Sequence, residues 1–399
     1  MDLTSSPPWI PLLQLPLKRA CRKAGPFICG SVDESHSRCA NRIVGMRRTS
    51  ILDSTAENIQ ALDKLFSQAG LVHGRRNRIS HAEGVRRTAG SAPEELHRPA
   101  PNPRVAQNGA VWIPVAGWNR YTWLWHGFST RKGGLSRAYC GDDSLGQFGE
   151  LNLGFTAEDD RETVLRNRRL LVEAVTGDSA TPLVPLRQFH SNLVVRVTAG
   201  DAAREKPIRA DGLITNEHGL LLAVQTADCI PVLVADRKRR VAGAFHAGWR
   251  GTVRRIAEIG VGRMRLEFGS RPEDMIAAIG PGVGPCCYAV GEEVFSEFES
   301  QFQYAHELFH EVYSADVVRQ KYPMLFLTQR APGHSPIGPS THLDLIEANR
   351  RQLLDAGLKP GAIKVVGGCT SCDTELFFSH RASRGHAGRM MAVIGLRTP

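Results

Sequence analysis

The stretch Gly219–Gly248, GLLLAVQTADCIPVLVADRKRRVAGAFHAG, decides the fold. It holds three aliphatic, β-branched runs, each the length of a buried strand. Two of them, IPVLVAD and VAGAFHAG, flank the charged turn Arg237–Arg240 and so form a hairpin. A hairpin returns its second end beside its first. Cys229, just ahead of one run, is therefore expected beside His246, near the end of the other, although His246 comes seventeen residues later. Cys229 follows Asp228 and precedes Ile230-Pro231, a pair hostile to helix, which places it in a turn or at a strand start.

Outward from this hairpin, helices and strands interleave. AEDDRETVLRNRRLLVEAVTG is an amphipathic helix with Val164, Leu165, Leu171, Val172 and Val175 on its apolar face and Gly177 as its stop. TVRRIAEIGVGRMRLEFG reads as one further helix, and EEVFSEFESQF and HLDLIEANRRQLLDAG as two more. YTWLWHGF, LVVRVTAG, MIAAIGPG, AIKVVGG and MMAVIGL are strand candidates. The alternation is not strictly βαβ, so a mixed-sheet α/β or α+β domain is expected rather than a doubly wound one.

The chain has 399 residues, of which 42% are hydrophobic and 23% charged, ordinary values for a globular protein. No apolar run reaches the length of a membrane span. The first 25 residues carry a short apolar patch broken by four prolines, with the positive charges after it, which makes a poor secretory signal. A cytoplasmic protein with no membrane partner is expected. The net charge of +10 invites a nucleic-acid reading, but residues 1–108 hold 16 Lys/Arg and 9 Asp/Glu, so they supply +7 of it. Residues 109–399 are nearly neutral at +3, which argues against a nucleic-acid partner for that part. Residues 1–108 are expected to be a poorly ordered basic extension, apart from a short amphipathic helix at Ser54–Ala69; Met46 offers a later start. Residues 109–399 are expected to form a single catalytic domain, with homo-oligomers open. The nine cysteines are an odd set, and adjacent Cys286 and Cys287 make an awkward disulfide pair, so reduced thiols are expected.

Three segments carry donors that could close around one metal ion: RQFHSN with His190, TADCIP with Cys229 and AFHAGWRG with His246. Two imidazoles and a thiolate suit an open zinc site, where the fourth position is left for water or substrate. Each residue could equally be a satisfied structural group. In HAGWRG, Gly248 and Gly251 allow close backbone approach, and Arg250 could pair with an anion or lie on the surface of a tight turn. Ser129-Thr130-Arg131-Lys132-Gly133-Gly134 offers hydroxyls, cations and backbone amides suited to phosphate or sugar, or is an ordinary solvated turn. Cys369-Thr-Ser-Cys372 is a lone CxxC. A structural zinc there would need two more ligands, and no second CxxC supplies them, so a structural or redox-silent role is expected.

Taken in order, LAVQTADC, AFHAGWRGT, AAIGPGVGPCCYAVG, CTSCDTELFFSHR and GRMMAVIGL resemble the YfiH-type family, also called the multicopper polyphenol oxidase or laccase-domain family. HGFSTRKGGLS, LNLGFT with the following NRRLL, and RQFHSN extend the likeness, which runs from about Trp125 to Leu396. Residues 1–108 lie outside it. Arg137–Glu150 looks like an insertion, Gln303–Arg330 is irregular for the family, and His386–Arg389 reads HAGR where a Thr-Gly-Arg is common.

The resemblance implies an α+β fold of stacked mixed β-sheets flanked by helices, related to cysteine-hydrolase toxins. It implies one zinc on His190, Cys229 and His246. It implies phosphorolysis of adenosine, inosine, guanosine and methylthioadenosine, with phosphate as co-substrate, and deamination of adenosine. Deamination would want a carboxylate to shuttle protons, and Asp228 adjoins a ligand. Phosphorolysis would want cations for phosphate, from Arg131 or Arg250, with Ser129, Asn152 and Gln188 as further substrate contacts. Rival readings stay open. A copper phenol oxidase needs on the order of ten mostly His ligands, which this chain does not show in clusters. A cysteine hydrolase would use Cys229 as nucleophile and His246 as base. A nucleic-acid-binding protein would depend on the basic leader.

Overall fold

Strand Ile230–Asp236 is buried on both faces, which explains its unbroken apolar run. Leu233 and Ala235 face one core, while Ile230, Val232 and Val234 face another. Its hairpin partner is Val241–Ala247, paired from Ile230↔Ala247 to Asp236↔Val241. The Asp236 carboxylate accepts the amides of Lys238 and Arg239, and Arg240 takes a left-handed φ of 54°, which closes the expected charged turn.

The computed structural model describes residues 96–98, 102–140, 149–312 and 340–399. The helix expected at Ser54–Ala69, most of the Arg137–Glu150 insertion and the later part of Gln303–Arg330 lie outside them. The described residues belong to the compact unit Gly84–Pro399.

Two six-stranded mixed sheets are stacked. In the first, the spatial order is Arg104–Val105, Val111–Ile113, Leu124–Ser129, Met390–Leu396, Leu220–Thr226 and Leu183–Val184. In the second it is Ile363–Val365, Met275–Ile279, Ile230–Asp236, Val241–Ala247, Gly212–Thr215 and Val194–Arg196. Strand alternation then assigns every face. Leu222 and Val224 of the first sheet meet Leu233 and Ala244 of the second in the central core. On the far side of the first sheet, Leu221, Ala223 and Val393 pack on Leu171 and Val175 of helix Arg161–Thr176. On the far side of the second, Val232 and Phe245 pack on Val261 and Met264 of helix Ile256–Phe268, with Ile346 and Leu353 of helix Leu345–Asp355 beside them. The result is a four-layer αββα arrangement, the α+β fold that the resemblance implied.

The helix over 161–176 starts and stops as its residues dictate. The Asp160 carboxylate accepts the Thr163 amide, and Gly177 ends it at φ 85°. The helix expected over Thr252–Gly269 divides instead. Trp249–Val253 forms one turn, Arg255 takes φ 61°, and the long helix begins at Ile256. The cause is Gln352, whose Nε2 donates to the Thr252 carbonyl at 2.7 Å, while Asn349 Nδ2 donates to the Thr252 hydroxyl. That carbonyl is the one an unbroken helix would offer to the Ile256 amide.

Candidate active site

Pro231 lies opposite His246 in the hairpin, so Cys229, two residues before Pro231, sits at the same end of the sheet. His190 arrives from the loop between Leu186–Arg187 and Val194–Arg196. Its backbone adopts φ 61°, a strained choice for a non-glycine residue. Asp211 holds it there. This fully buried carboxylate accepts the amides of His190 at 3.0 Å and Ser191 at 2.7 Å, and the Ser191 hydroxyl at 2.7 Å. It also accepts His246 Nδ1 at 2.9 Å, which leaves His246 Nε2 for the site.

The three expected donors are brought together. Cys229 Sγ lies 3.7 Å from His190 Nε2, and the donor atoms of His190, Cys229 and His246 all lie within 4.8 Å of one another. Around a tetrahedral zinc the S···N edge would be about 3.5 Å. Gly248 makes the approach possible, because a Cβ there would stand 2.8 Å from His190 Cδ2 and 2.9 Å from Cys229 Sγ. The electrostatics suit a soft cation. Burial opposes a charge on Cys229, but His246 and His190 outweigh it and bring the thiol down to about 6. Burial likewise opposes a charge on His246, but the Cys229 thiolate and Asp211 raise it to about 9. For Asp211 too, burial is outweighed by bonds from His246 and Ser191, which hold it near about 2. The residues fit one metal ion with an open position, accessible through exposed His190 and partly buried Cys229.

The triad borders a cavity of about 800 Å³. Among the described residues, Arg168, Arg187, Arg381, Arg384 and Arg389 line it, against a single carboxylate, Asp228. Burial beside Arg161 brings Arg168 down to about 10, so it stays cationic at neutral pH. Tyr288 forms another part of the wall, with the Arg381 guanidinium 4.8 Å from its ring centre. Gln188 also lines the cavity, with its amide paired both ways to the backbone of Gln225.

The other expected residues are placed differently. Asp228 borders the cavity at φ 87°, with one oxygen accepting the Thr370 hydroxyl and the other the Arg381 amide, each at 2.7 Å. Both oxygens are thereby committed to holding the wall. Ser129, Arg131, Asn152 and Arg250 are not among the lining residues. Ser129 is buried and accepts the Met391 amide. Arg131 pairs with Glu150 and donates to the carbonyls of Thr374 and Tyr139. Asn152 is fully buried, and its Oδ1 accepts the Arg389 amide, one step behind the cavity. Arg250 lies over the Trp249 ring on the surface.

Stacked mixed sheets with a His–Cys–His donor set at one end define an α+β domain with a candidate metal site. The chain belongs to the multi-copper polyphenol oxidoreductase laccase family, which matches residues 125–397. It is 38% identical over 269 residues to the purine nucleoside phosphorylase YlmD of Geobacillus stearothermophilus, covering 64% of this chain and 87% of that one. With the Bacillus subtilis YlmD of the same name it shares 34% over 277 residues, 68% of this chain and 88% of that one. The crystal structure of the Bacillus licheniformis hypothetical protein YfiH superposes with a TM-score of 0.60 at 33% identity, over 74% of this chain and 99% of that one. The resemblance of the sequence to the YfiH-type family is thus met.

Proposed function

We propose that this chain is a zinc-dependent purine nucleoside phosphorylase. The observation that carries the reading is one cavity with the His190–Cys229–His246 donor set and the arginines Arg168, Arg187, Arg381, Arg384 and Arg389 in its wall. The names of the relatives support it. In phosphorolysis, phosphate attacks C1′ of the ribose as the bond to N9 of the purine breaks, through an oxocarbenium-like state. The arginines bind and orient the phosphate, which needs fixed cationic donors in a site that excludes bulk water. Burial pushes the Tyr288 hydroxyl above its ordinary range, so it keeps its proton and can donate to the departing base. A zinc ion held by His190, Cys229 and His246 would supply positive charge for a developing anion. Asp211 fixes both histidines for it.

Adenosine, inosine, guanosine and methylthioadenosine are the proposed nucleosides, with adenosine deamination as a lesser activity. Deamination needs a carboxylate free to move protons, and Asp228 has both oxygens engaged. A multicopper oxidase is a poor fit: among the described residues the donor clusters are one of three residues and one of four cysteines, far short of about ten mostly His ligands. One further reading has a specific observation behind it. Cys229, His246 and Asp211 have the order of a thiol hydrolase triad. Such a triad has no task for His190, whose Nε2 faces the same sulfur, whereas a metal does.

The test is to incubate the zinc-loaded protein with adenosine, with and without phosphate, and separate the products. Adenine formed only with phosphate is the expected result. Inosine in both conditions would make deamination the main activity, and no product from any purine nucleoside would overturn the proposal. Loss of activity to a chelator, restored by zinc, separates the metal reading from the thiol hydrolase.

A further inference from the structure

The CxxC at Cys369 and Cys372, a lone motif in the sequence, has Cys286 and Cys287 beside it in the structure. Strands Met275–Ile279 and Ile363–Val365 are parallel neighbours, so the loops that follow them leave the same end of the sheet. One loop carries the vicinal pair Cys286-Cys287, and the other carries Cys369 and Cys372. The loops continue the pairing beyond the strands: the Val366 amide donates to the Ile279 carbonyl and the Thr370 amide to the Gly282 carbonyl. Successive glycines, Gly367 at φ 90° and Gly368 at φ 87°, turn the second loop towards the first. Gly284 lets them close, since a Cβ there would stand 3.2 Å from Cys286 Sγ and 3.3 Å from Cys369 Cβ.

The outcome is a tetrad of sulfurs, all within 4.8 Å of one another. Cys372 Sγ is 3.5 Å from Cys286 Sγ and 3.3 Å from Cys287 Sγ. A disulfide holds its sulfurs at about 2.0 Å, whereas four thiolates around a tetrahedral zinc stand about 3.8 Å apart. The Gly284 amide donates to Cys369 Sγ at 3.2 Å, the outer hydrogen bond that orients a metal-bound thiolate. Sulfurs this close leave room for one ion and none for an iron–sulfur cluster.

We propose that Cys286, Cys287, Cys369 and Cys372 form a closed tetrathiolate zinc site, separate from the His190–Cys229–His246 set. The four ligands leave no open position, which makes the site structural. It clips together two loops that build one wall of the cavity. Tyr288 directly follows Cys287. Thr370, inside the CxxC, binds Asp228, and Asp228 in turn holds the Arg381 amide. The ion therefore fixes the wall without touching substrate. A vicinal pair meeting a CxxC across 81 intervening positions leaves no short-range spacing to find in the sequence.

The test measures metal content of the full chain, purified without oxidation, by elemental analysis. Wild type should hold two zinc equivalents. Cys229→Ala should keep one, Cys372→Ser should keep one, and the double variant none. Should Cys372→Ser fail to fold, cobalt loaded into Cys229→Ala gives the decision: strong sulfur-to-cobalt charge-transfer bands of four thiolates are expected. A metal-free Cys229→Ala, cobalt bands lacking thiolate character, iron in place of zinc, or the mass deficit of disulfides among the four cysteines would overturn the proposal. One equivalent in wild type that survives Cys229→Ala would leave this site standing and remove the other, so the two failures are distinguishable.

Discussion

Asp211 organises the candidate site although it is not a donor to it. One buried carboxylate fixes the left-handed turn at His190, the Ser191 hydroxyl and the tautomer of His246. Asp211→Asn should lower zinc affinity about 10–100-fold, the usual effect of losing such an outer partner. A chelator competition measures this, and unchanged affinity would show that the carboxylate orients nothing. Cys229→Ala should lose one zinc equivalent while its far-UV circular dichroism stays unchanged; full retention of both equivalents would remove Cys229 from the ligand set. At this scale the sequence was legible where chemistry is bound to side-chain type. His190, Cys229 and His246 stood out because His and Cys are metal donors and the hairpin joined two of them. Asp211 did not, because its partners His190, Ser191 and His246 lie 20 to 35 positions away and leave no spacing pattern, and RADGLIT reads as a turn before a strand. The arginines of the cavity were equally hidden, since they come from helix Arg161–Thr176, the short strand Leu186–Arg187, the turn near His380 and the residue before the last strand.

At the scale of elements, strand and helix types followed from apolar periodicity, while breaks did not. The division at Arg255 depends on Gln352, one hundred residues from Thr252, and no local propensity encodes it. Packing also reverses a local preference at Gly260, inside helix Ile256–Phe268. Alanine there would gain roughly 1 kcal/mol of helix propensity. Its Cβ, however, would fall well inside van der Waals contact with the fully buried Phe245 ring. Overpacking of that kind costs about 1–3 kcal/mol, so Gly260→Ala should lower Tm; a higher Tm would show that helix and sheet have slack between them. Strand Leu124–Ser129 carries a pH dependence. Burial, with Arg104 and Arg397 nearby, lowers His126 from 6.5 to about 4, and its Nδ1 accepts the Val115 amide. As pH falls, the unfolded chain takes the proton first. Stability is therefore full above about 6.5 and declines towards 4, by roughly 3 kcal/mol in total. Denaturant titrations across that window should show the decline in wild type and a shallower one in His126→Gln, which keeps an acceptor for Val115. Equal slopes would place the acid sensitivity elsewhere.

At the scale of the whole chain, charge is unevenly shared, and the boundary of the catalytic part can be argued from contacts. Residues 1–108 carry +7 of the net +10, yet some of them belong to the described domain. Arg104–Val105 pairs with Val111 and Trp112 at the edge of the first sheet. Arg98 Nη2 meets Asp344 at 2.8 Å, and Asp344 is the residue whose carboxylate caps helix Leu345–Asp355 through the Glu347 amide. A cut before Arg98 keeps these contacts, while a cut at 108 removes a strand and an ion pair. Deleting residues 1–95 should therefore leave phosphorolysis and Tm unchanged, whereas deleting 1–108 should lower Tm with the cavity still intact. Any affinity for duplex DNA, which scales with the number of phosphates neutralised, should fall with either deletion. If removing 1–95 abolished nucleoside cleavage, the catalytic unit would extend into the leader. If it abolished a nucleic-acid function instead, the basic segment and not the cavity beside His190, Cys229 and His246 would be the working part of the molecule.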